Sequence, residues 1–168
     1  MCVLGLPNGD VATGSTGKKA EGGAPTGFQV RIWRNSTEVV ASAKDHGGPV
    51  RSLCLAPGGV GFLSTSNDGT AVLRDFAGEP LVVMRHPQQG GGENFIYCGA
   101  AVGGDGGSSS DGGGGGGGGG AAEYLSCSED CTVAVWRDGQ AVQLLEHPDG
   151  VWAVCALPDG DVATACND

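Results

Sequence analysis

Two sets of side chains in this 168-residue sequence have the residue types of a nucleophilic hydrolase: His86 with Ser126, Asp130 and Trp136, and His147 with Thr164 and Asp168. A hydroxyl activated by an imidazole, which a carboxylate in turn orients, is the arrangement that attacks acyl carbons. Spacing argues against that chemistry here. The His, Ser/Thr and Asp positions recur along the chain once per repeat, whereas a catalytic constellation is needed once. No isolated acid, base or nucleophile set remains, so the expectation is of no enzyme: no catalytic residue and no cofactor. The repetition points instead to buried polar groups that satisfy one another and fix a turn.

Metal and phosphate chemistry meet similar objections. Cys127 and Cys131 lack a second Cys/His pair at zinc-ligand spacing, and small hydrophobes buried in strands explain them more simply, so no metal is expected. The seven cysteines are odd in number and scattered through apolar runs, which fits a reducing compartment better than a disulfide framework. Gly103 to Gly120 carries no Lys-Ser/Thr ending and neither follows a parallel strand nor opens a helix, so it is no phosphate loop. That tract reads as a disordered, flexible excursion in a hairpin.

The formal net charge of -10 and sequence pI near 4.5 repel phosphate backbones and anionic lipid surfaces, so neither nucleic acid nor a membrane is an expected partner. Acidity has two readings, plain solubility or steering toward a basic partner. No stretch approaches the ~20 apolar residues that cross a bilayer. The expectation is a soluble cytoplasmic, or cytoplasmic and nuclear, chain.

The elements that must position these residues come from a repeated phrase. Pro7-Asn8-Gly9-Asp10-Val11-Ala12-Thr13 returns as Pro158-Asp159-Gly160-Asp161-Val162-Ala163-Thr164, with looser copies at Pro57 to Ser64 and Glu123 to Ser126. Each couples a Pro/Gly/Asp turn to a short β-branched or apolar run, as a hairpin requires. Strand-length apolar runs precede these turns at Val50 to Leu55, Phe95 to Cys98 and Val151 to Leu157. Third strands follow at Phe28 to Trp33, Thr70 to Leu73 and Thr132 to Trp136, and outer strands at Glu38 to Ala43, Pro80 to Met84 and Ala141 to Leu145.

Four strands per unit at a period near 40 residues is the pattern of a β-propeller, in which each small twisted sheet buries its apolar faces against neighbouring sheets. The expected fold is therefore all-β, a partial WD-repeat β-propeller of about three and a half four-stranded antiparallel blades. Its units are residues 1–45, a partial first blade with an insertion at 18–27; 46–85; 86–146, with the Gly-rich insertion 103–120; and 147–168, a truncated fourth blade. The hydrolase-like residues then resemble the structural network of WD blades: His before the inner strand, Ser/Thr in the second, Asp in the tight turn, Trp ending the third. Arg74 stands where the second unit should have its Trp, and Gly17 where the first should have Asp. His46 and Asp68 thus have the weaker expected claim on such a network.

Finer phrases resemble one WD-repeat family. His46 to Leu55 with Phe62-Leu63-Ser64-Thr65-Ser66-Asn67-Asp68, then Asn94-Phe95-Ile96-Tyr97, then Val133 to Gln140, then Val151-Trp152-Ala153-Val154-Cys155 with Asp159-Gly160-Asp161, are similar in order and spacing to the N-terminal propeller of the phospholipase A-2-activating protein family. These are ubiquitin-binding, Doa/Ufd-type adaptors of an AAA segregase ATPase. The resemblance implies a non-catalytic receptor surface with ubiquitin and the segregase complex as partners in ubiquitin-dependent turnover. A generic WD-repeat scaffold with other protein partners is the alternative. These 168 residues are expected to hold neither the family's downstream domains nor, ending just before a third strand, a closed ring.

Loops leading into inner strands and second-to-third-strand turns gather at one end of a propeller. Here they offer Gly48, Pro49 and Arg51; Asn94, Phe95 and Tyr97; and Pro148, Asp149 and Trp152 as partner-binding candidates. Tyr, Trp and Arg dominate binding energy when central in an interface. Tyr97 and Trp152 could equally fill space between blades.

Overall fold

The structure, a computed structural model, describes residues 1–18, 26–35, 37–89, 94–103 and 122–168. Fourteen strands follow in order: β1 Cys2–Gly5, β2 Val11–Gly14, β3 Val30–Arg34, β4 Glu38–Ala43, β5 Val50–Leu55, β6 Phe62–Ser66, β7 Thr70–Arg74, β8 Pro80–Arg85, β9 Ile96–Val102, β10 Glu123–Ser128, β11 Thr132–Arg137, β12 Gln140–Glu146, β13 Val151–Ala156 and β14 Val162–Cys166. They pair antiparallel with their sequence neighbours into three four-stranded sheets, β1–β4, β5–β8 and β9–β12, and one two-stranded sheet, β13–β14. Among the described residues the chain is all-β, a partial β-propeller with no closed sheet. No helix among the described residues is long and apolar enough to cross a membrane.

Local chemistry explains the strand ends. In the first hairpin Asn8 Oδ1 accepts the Asp10 amide at 3.1 Å, an Asx turn, and Gly9 supplies the positive φ of 86°. Asp138 and Gly139, both left-handed, make the two-residue turn between β11 and β12 whose twist suits a hairpin. Alternation then decides which side chains are buried: in β3, Val30 and Ile32 point inward while Arg31 and Trp33 lie on the other face.

Consecutive sheets are held face to face by three apolar clusters. Leu6, Ala12, Val30, Ile32, Val50 and Phe62 join the first sheet to the second. Leu63, Leu73, Met84, Ile96, Tyr124 and Trp136 join the second to the third, and Ala100, Leu125, Cys127, Val133, Val151 and Val154 join the third to the fourth. Inner strands come closest: a Cβ on Gly99 would sit 2.6 Å from the Thr65 methyl and 3.0 Å from Leu63, so only glycine lets β9 lie against β6.

The two insertions leave from closed hairpins. Lys18 and Thr26 exchange backbone hydrogen bonds of 2.7 and 3.0 Å at the base of the first. Val102 pairs with Glu123 at the base of the second. The expectation that Gly103 to Gly120 is disordered falls, Gly103 apart, outside the described residues.

Candidate binding face at three inner-strand bulges

Each inner strand of the second, third and fourth sheets carries the same irregularity near its start. Val50 pairs with Ser66 and Ser52 with Thr65, leaving Arg51 unpaired; Ile96 pairs with Ser128 and Cys98 with Cys127, leaving Tyr97; Val151 pairs with Cys166 and Ala153 with Ala165, leaving Trp152. These are β-bulges, which add one residue to a strand and re-aim its side chain. The preceding Val50, Ile96 and Val151 are fully buried and fix the backbone on either side of the bulge. Three large side chains are therefore delivered to one place by three sheets.

They touch one another. Tyr97 and Trp152 stack with centroids 4.4 Å apart and planes 10° from parallel. The Arg51 guanidinium lies 5.8 Å from the Tyr97 centroid, within cation–π range. Partners restrain two of them: Arg51 Nε donates to Asn67 Oδ1 at 2.8 Å, and Tyr97 OH donates to Glu129 Oε2 at 2.9 Å. Burial, then the Glu129 hydrogen bond and charge, push the Tyr97 phenol up to about 12, so it remains a donor near neutral pH. Trp152 is nonetheless 54% exposed. Such a pre-stacked pair loses little side-chain freedom when a partner covers it.

The other candidates divide. Pro148 and Asp149 are exposed, and Asp149 accepts from the Gly150 amide at 2.6 Å and from Asn167 Nδ2 at 3.3 Å. Pro49 and Phe95 are half-buried, and their carbonyls receive the amides of Asn67 and Glu129. Gly48 is buried: a Cβ there would lie 2.9 Å from the Asp68 nitrogen. Asn94 Nδ2 donates to His86 O at 2.8 Å, bracing the approach to β9. The structure thus brings together Arg51, Tyr97 and Trp152, with Glu129 and Asn67 as unforeseen supports.

The hydrolase-like residues of the third sheet lie apart from this face, buried inside the sheet. His86 Nδ1 is 2.8 Å from Ser126 Oγ, His86 Nε2 is 2.9 Å from Thr132 Oγ1 and 3.5 Å from Asp130 Oδ1, and Trp136 Nε1 donates to Ser126 Oγ at 2.9 Å. Asp130 Oδ1 also accepts the Thr132 amide. Ser126 has no exposure and its oxygen is already engaged, so no acyl group can reach it. Burial pulls the His86 pKa down against the opposing Asp130 charge, which favours a neutral ring. Cys127 is buried toward the fourth sheet, and Cys131 sits in the β10–β11 turn with φ 70°.

The weaker claim expected of His46 and Asp68 is corrected. His46 Nε2 lies 2.9 Å from Ser64 Oγ and Nδ1 3.0 Å from Thr70 Oγ1 and 3.2 Å from Asp68 Oδ2, a complete network. Arg74, with no exposure, takes the place of Trp: its Nε donates to Ser64 Oγ at 3.0 Å, as Trp136 does to Ser126. The remaining guanidinium nitrogens reach Asp45 at 2.6 and 2.8 Å and the Gly78 carbonyl at 3.3 Å. In the first sheet Trp33 Nε1 donates to Thr13 Oγ1 at 2.9 Å. In the fourth, His147 Nε2 meets Thr164 Oγ1 at 2.9 Å, while Asp168 accepts from Cys166 Sγ rather than from His147.

Comparison with known proteins agrees with this architecture. The family model of the WD domain, G-beta repeat, matches residues 37–75, from β4 of one blade through β7 of the next. Ubiquitin homeostasis protein lub1 of Schizosaccharomyces pombe is 31% identical over 135 residues, which cover 80% of this chain and 16% of that protein. The WD40 β-propeller domain of Doa1 has the same fold, with a TM-score of 0.63 at 24% identity, over 94% of this chain and 43% of that one. The chain therefore spans a minor part of the relatives it matches.

Proposed function

We propose, from the premise that this chain is a WD-repeat propeller segment of the Lub1 and Doa1 type, that it is a non-catalytic protein-binding module whose bulged face docks ubiquitin. The observation that carries this is the contiguous Arg51, Tyr97 and Trp152 stack, built by one repeated bulge and left open on Trp152. Aromatic and Arg side chains held at a central position supply most of the energy of small interfaces. The chain's net charge of -10 favours encounter with a partner that combines apolar and basic groups. The name of Lub1, a ubiquitin homeostasis protein, supports ubiquitin as that partner. In the fuller reading, the module belongs to an adaptor that presents ubiquitinated clients to an AAA segregase ATPase for ubiquitin-dependent turnover.

Calorimetric titration of ubiquitin into the chain, beside melting curves of Tyr97→Ala and Trp152→Ala, tests the docking. The expected result is weak binding without chemical turnover, reduced about tenfold or more in each variant while the variant is still folded at the titration temperature. A folded chain that binds no ubiquitin moves the assignment to a generic WD-repeat scaffold with other protein partners. Loss of binding confined to unfolded variants removes the assignment of the site.

A further inference from the structure

We infer that Cys98 and Cys127 form an oxidisable dithiol, a modification site at which a peroxide-class oxidant makes a reversible cross-strand disulfide beside the binding face. The two residues are directly opposed in the β9–β10 register, and directly opposed residues of an antiparallel pair project from the same side of the sheet. Cys127 belongs to the buried cluster between the third and fourth sheets, and Cys98 packs against that cluster. Cys98 donates to Val154 O at 3.7 Å, so its thiol ties the third sheet to the fourth.

The two sulfurs are unequal, which sets the order of events. Cys127 has no exposure, whereas Cys98 is half-buried, so a small oxidant meets Cys98 first. The neighbouring Cys127, with burial opposing it, lowers the Cys98 thiol from its usual range, while Cys98 and burial push Cys127 up. Cys98 is therefore the nucleophile and Cys127 the resolving thiol. The Cys98 thiolate attacks one oxygen of hydrogen peroxide, the O–O bond breaks, hydroxide leaves and Cys98 becomes a sulfenic acid. Cys127 sulfur then displaces the sulfenic oxygen, which leaves as water with the Cys127 proton. In sum, two thiols and one peroxide give one disulfide and two waters.

Opposed residues have Cβ atoms about 4.5–5.5 Å apart, against about 3.5–4.5 Å in a disulfide. Closure must draw the strands together by about 1 Å, and a strained bond of that kind is readily reduced by a thiol such as glutathione. Tyr97, the bulged residue, is the immediate neighbour of Cys98, so closure pulls on the backbone that aims the aromatic stack. The rival partner is Cys54 on β5, whose thiol burial and the Cys98 charge push up to about 12. It lies on another sheet, opposite Leu63.

The test treats the full chain with one equivalent of hydrogen peroxide, blocks remaining thiols with N-ethylmaleimide and maps peptides without reduction. Cleavage after Glu123 and Glu129 separates Cys98 from Cys127. The expected product is one cross-linked pair of those two peptides, lighter by two hydrogens and released by glutathione. Cys98→Ser should abolish it, and Cys127→Ala should leave a Cys98 sulfenic acid that dimedone traps. A Cys98–Cys54 pair, over-oxidised Cys98 with Cys127 alkylated, or no oxidation at all would overturn the proposal. The Trp152 indole resonance, assigned with Trp152→Phe, should shift on oxidation. An unmoved resonance would overturn the coupling to the face, and neither readout depends on ubiquitin binding.

Discussion

Replacing Asp45 by Ala should destabilise the chain, and then replacing Arg74 by Met in that variant should restore stability even though it removes further native contacts. The reason is the burial of the guanidinium. Arg74 has no exposure, and Asp45 is the acidic partner that neutralises it, through bonds of 2.6 and 2.8 Å. Removing one partner of a buried pair costs about 3–5 kcal/mol, chiefly because a charge is left without compensation. The Asp45 side chain is 36% exposed, so water can reach part of the vacated site, and a discounted cost of about 2–3 kcal/mol is expected. For a chain of this length that is a fall in melting temperature of roughly 5–10 °C. Met removes the charge and keeps much of the buried volume, and Ser64 keeps its bonds to His46 and to the Val72 carbonyl. Arg34→Ala is the control, since its contact with Asp10 is 3.4 Å long and its side chain 56% exposed, for a cost of about 0.5 kcal/mol or less. Urea unfolding of the four proteins measures all of this. A double variant less stable than Asp45→Ala would refute the account of Arg74 as a buried charge that needs its counterion.

Three further outcomes follow from the same geometry. Stability should fall in two steps on acidification: below about 6.5, where unfolded histidine takes up a proton that buried His86 resists, and again below about 4, where unfolded carboxylates protonate before Asp45 and Asp68; the His46 and Thr70 bonds to Asp68 outweigh burial, as the Arg74 bonds do for Asp45. Urea midpoints across pH check this, and His86→Gln should lack the upper step. Cys131→Gly should stabilise by roughly 0.5–1 kcal/mol in the same assay, because Cys131 holds φ 70° where the equivalent turn of the second sheet has Gly69 at 77°. Excising 104–121 so that Gly103-Ala122 links the paired Val102 and Glu123 should leave the melting temperature unchanged or raise it, a shorter loop being worth up to about 2 kcal/mol; a lower melting temperature would show that the segment contributes to the fold.

Strands and turns were legible because the residues that make them act locally. Asn8-Gly9 and Asp138-Gly139 specify their turns whatever lies elsewhere, and an alternating run such as Val30 to Trp33 has only one face to bury. Arg74 was misjudged because it was read by type. A guanidinium and an indole both offer an N–H to the hydroxyl of the second strand, but the guanidinium also needs a counterion, and Asp45 lies 29 positions upstream on the approach to the inner strand. That pairing is set by how the blade folds back on itself. The opposition of Cys98 and Cys127 was hidden for a similar reason, since the register across the Gly-rich insertion sets it.

The candidate binding face was half legible, and the missing half is a matter of register. Sequence singled out Arg51, Tyr97 and Trp152 by residue type, and left open whether the two aromatics were filling between blades. A bulge leaves no mark in composition: Val50-Arg51, Ile96-Tyr97 and Val151-Trp152 look like ordinary strand alternation, and only the skipped partner on the neighbouring strand shows that the second residue of each pair is released. The repeat supplies the one signal that was available, since a fully buried residue followed by a large polar or aromatic one recurs at the same place in three successive inner strands. A position whose side chain served only the core would be expected to keep one chemical type from blade to blade, as Val50, Ile96 and Val151 do. Arg, Tyr and Trp share no packing property at that site; what they share is a planar group able to stack, which suits a surface that sheet pairing has left free to meet a partner.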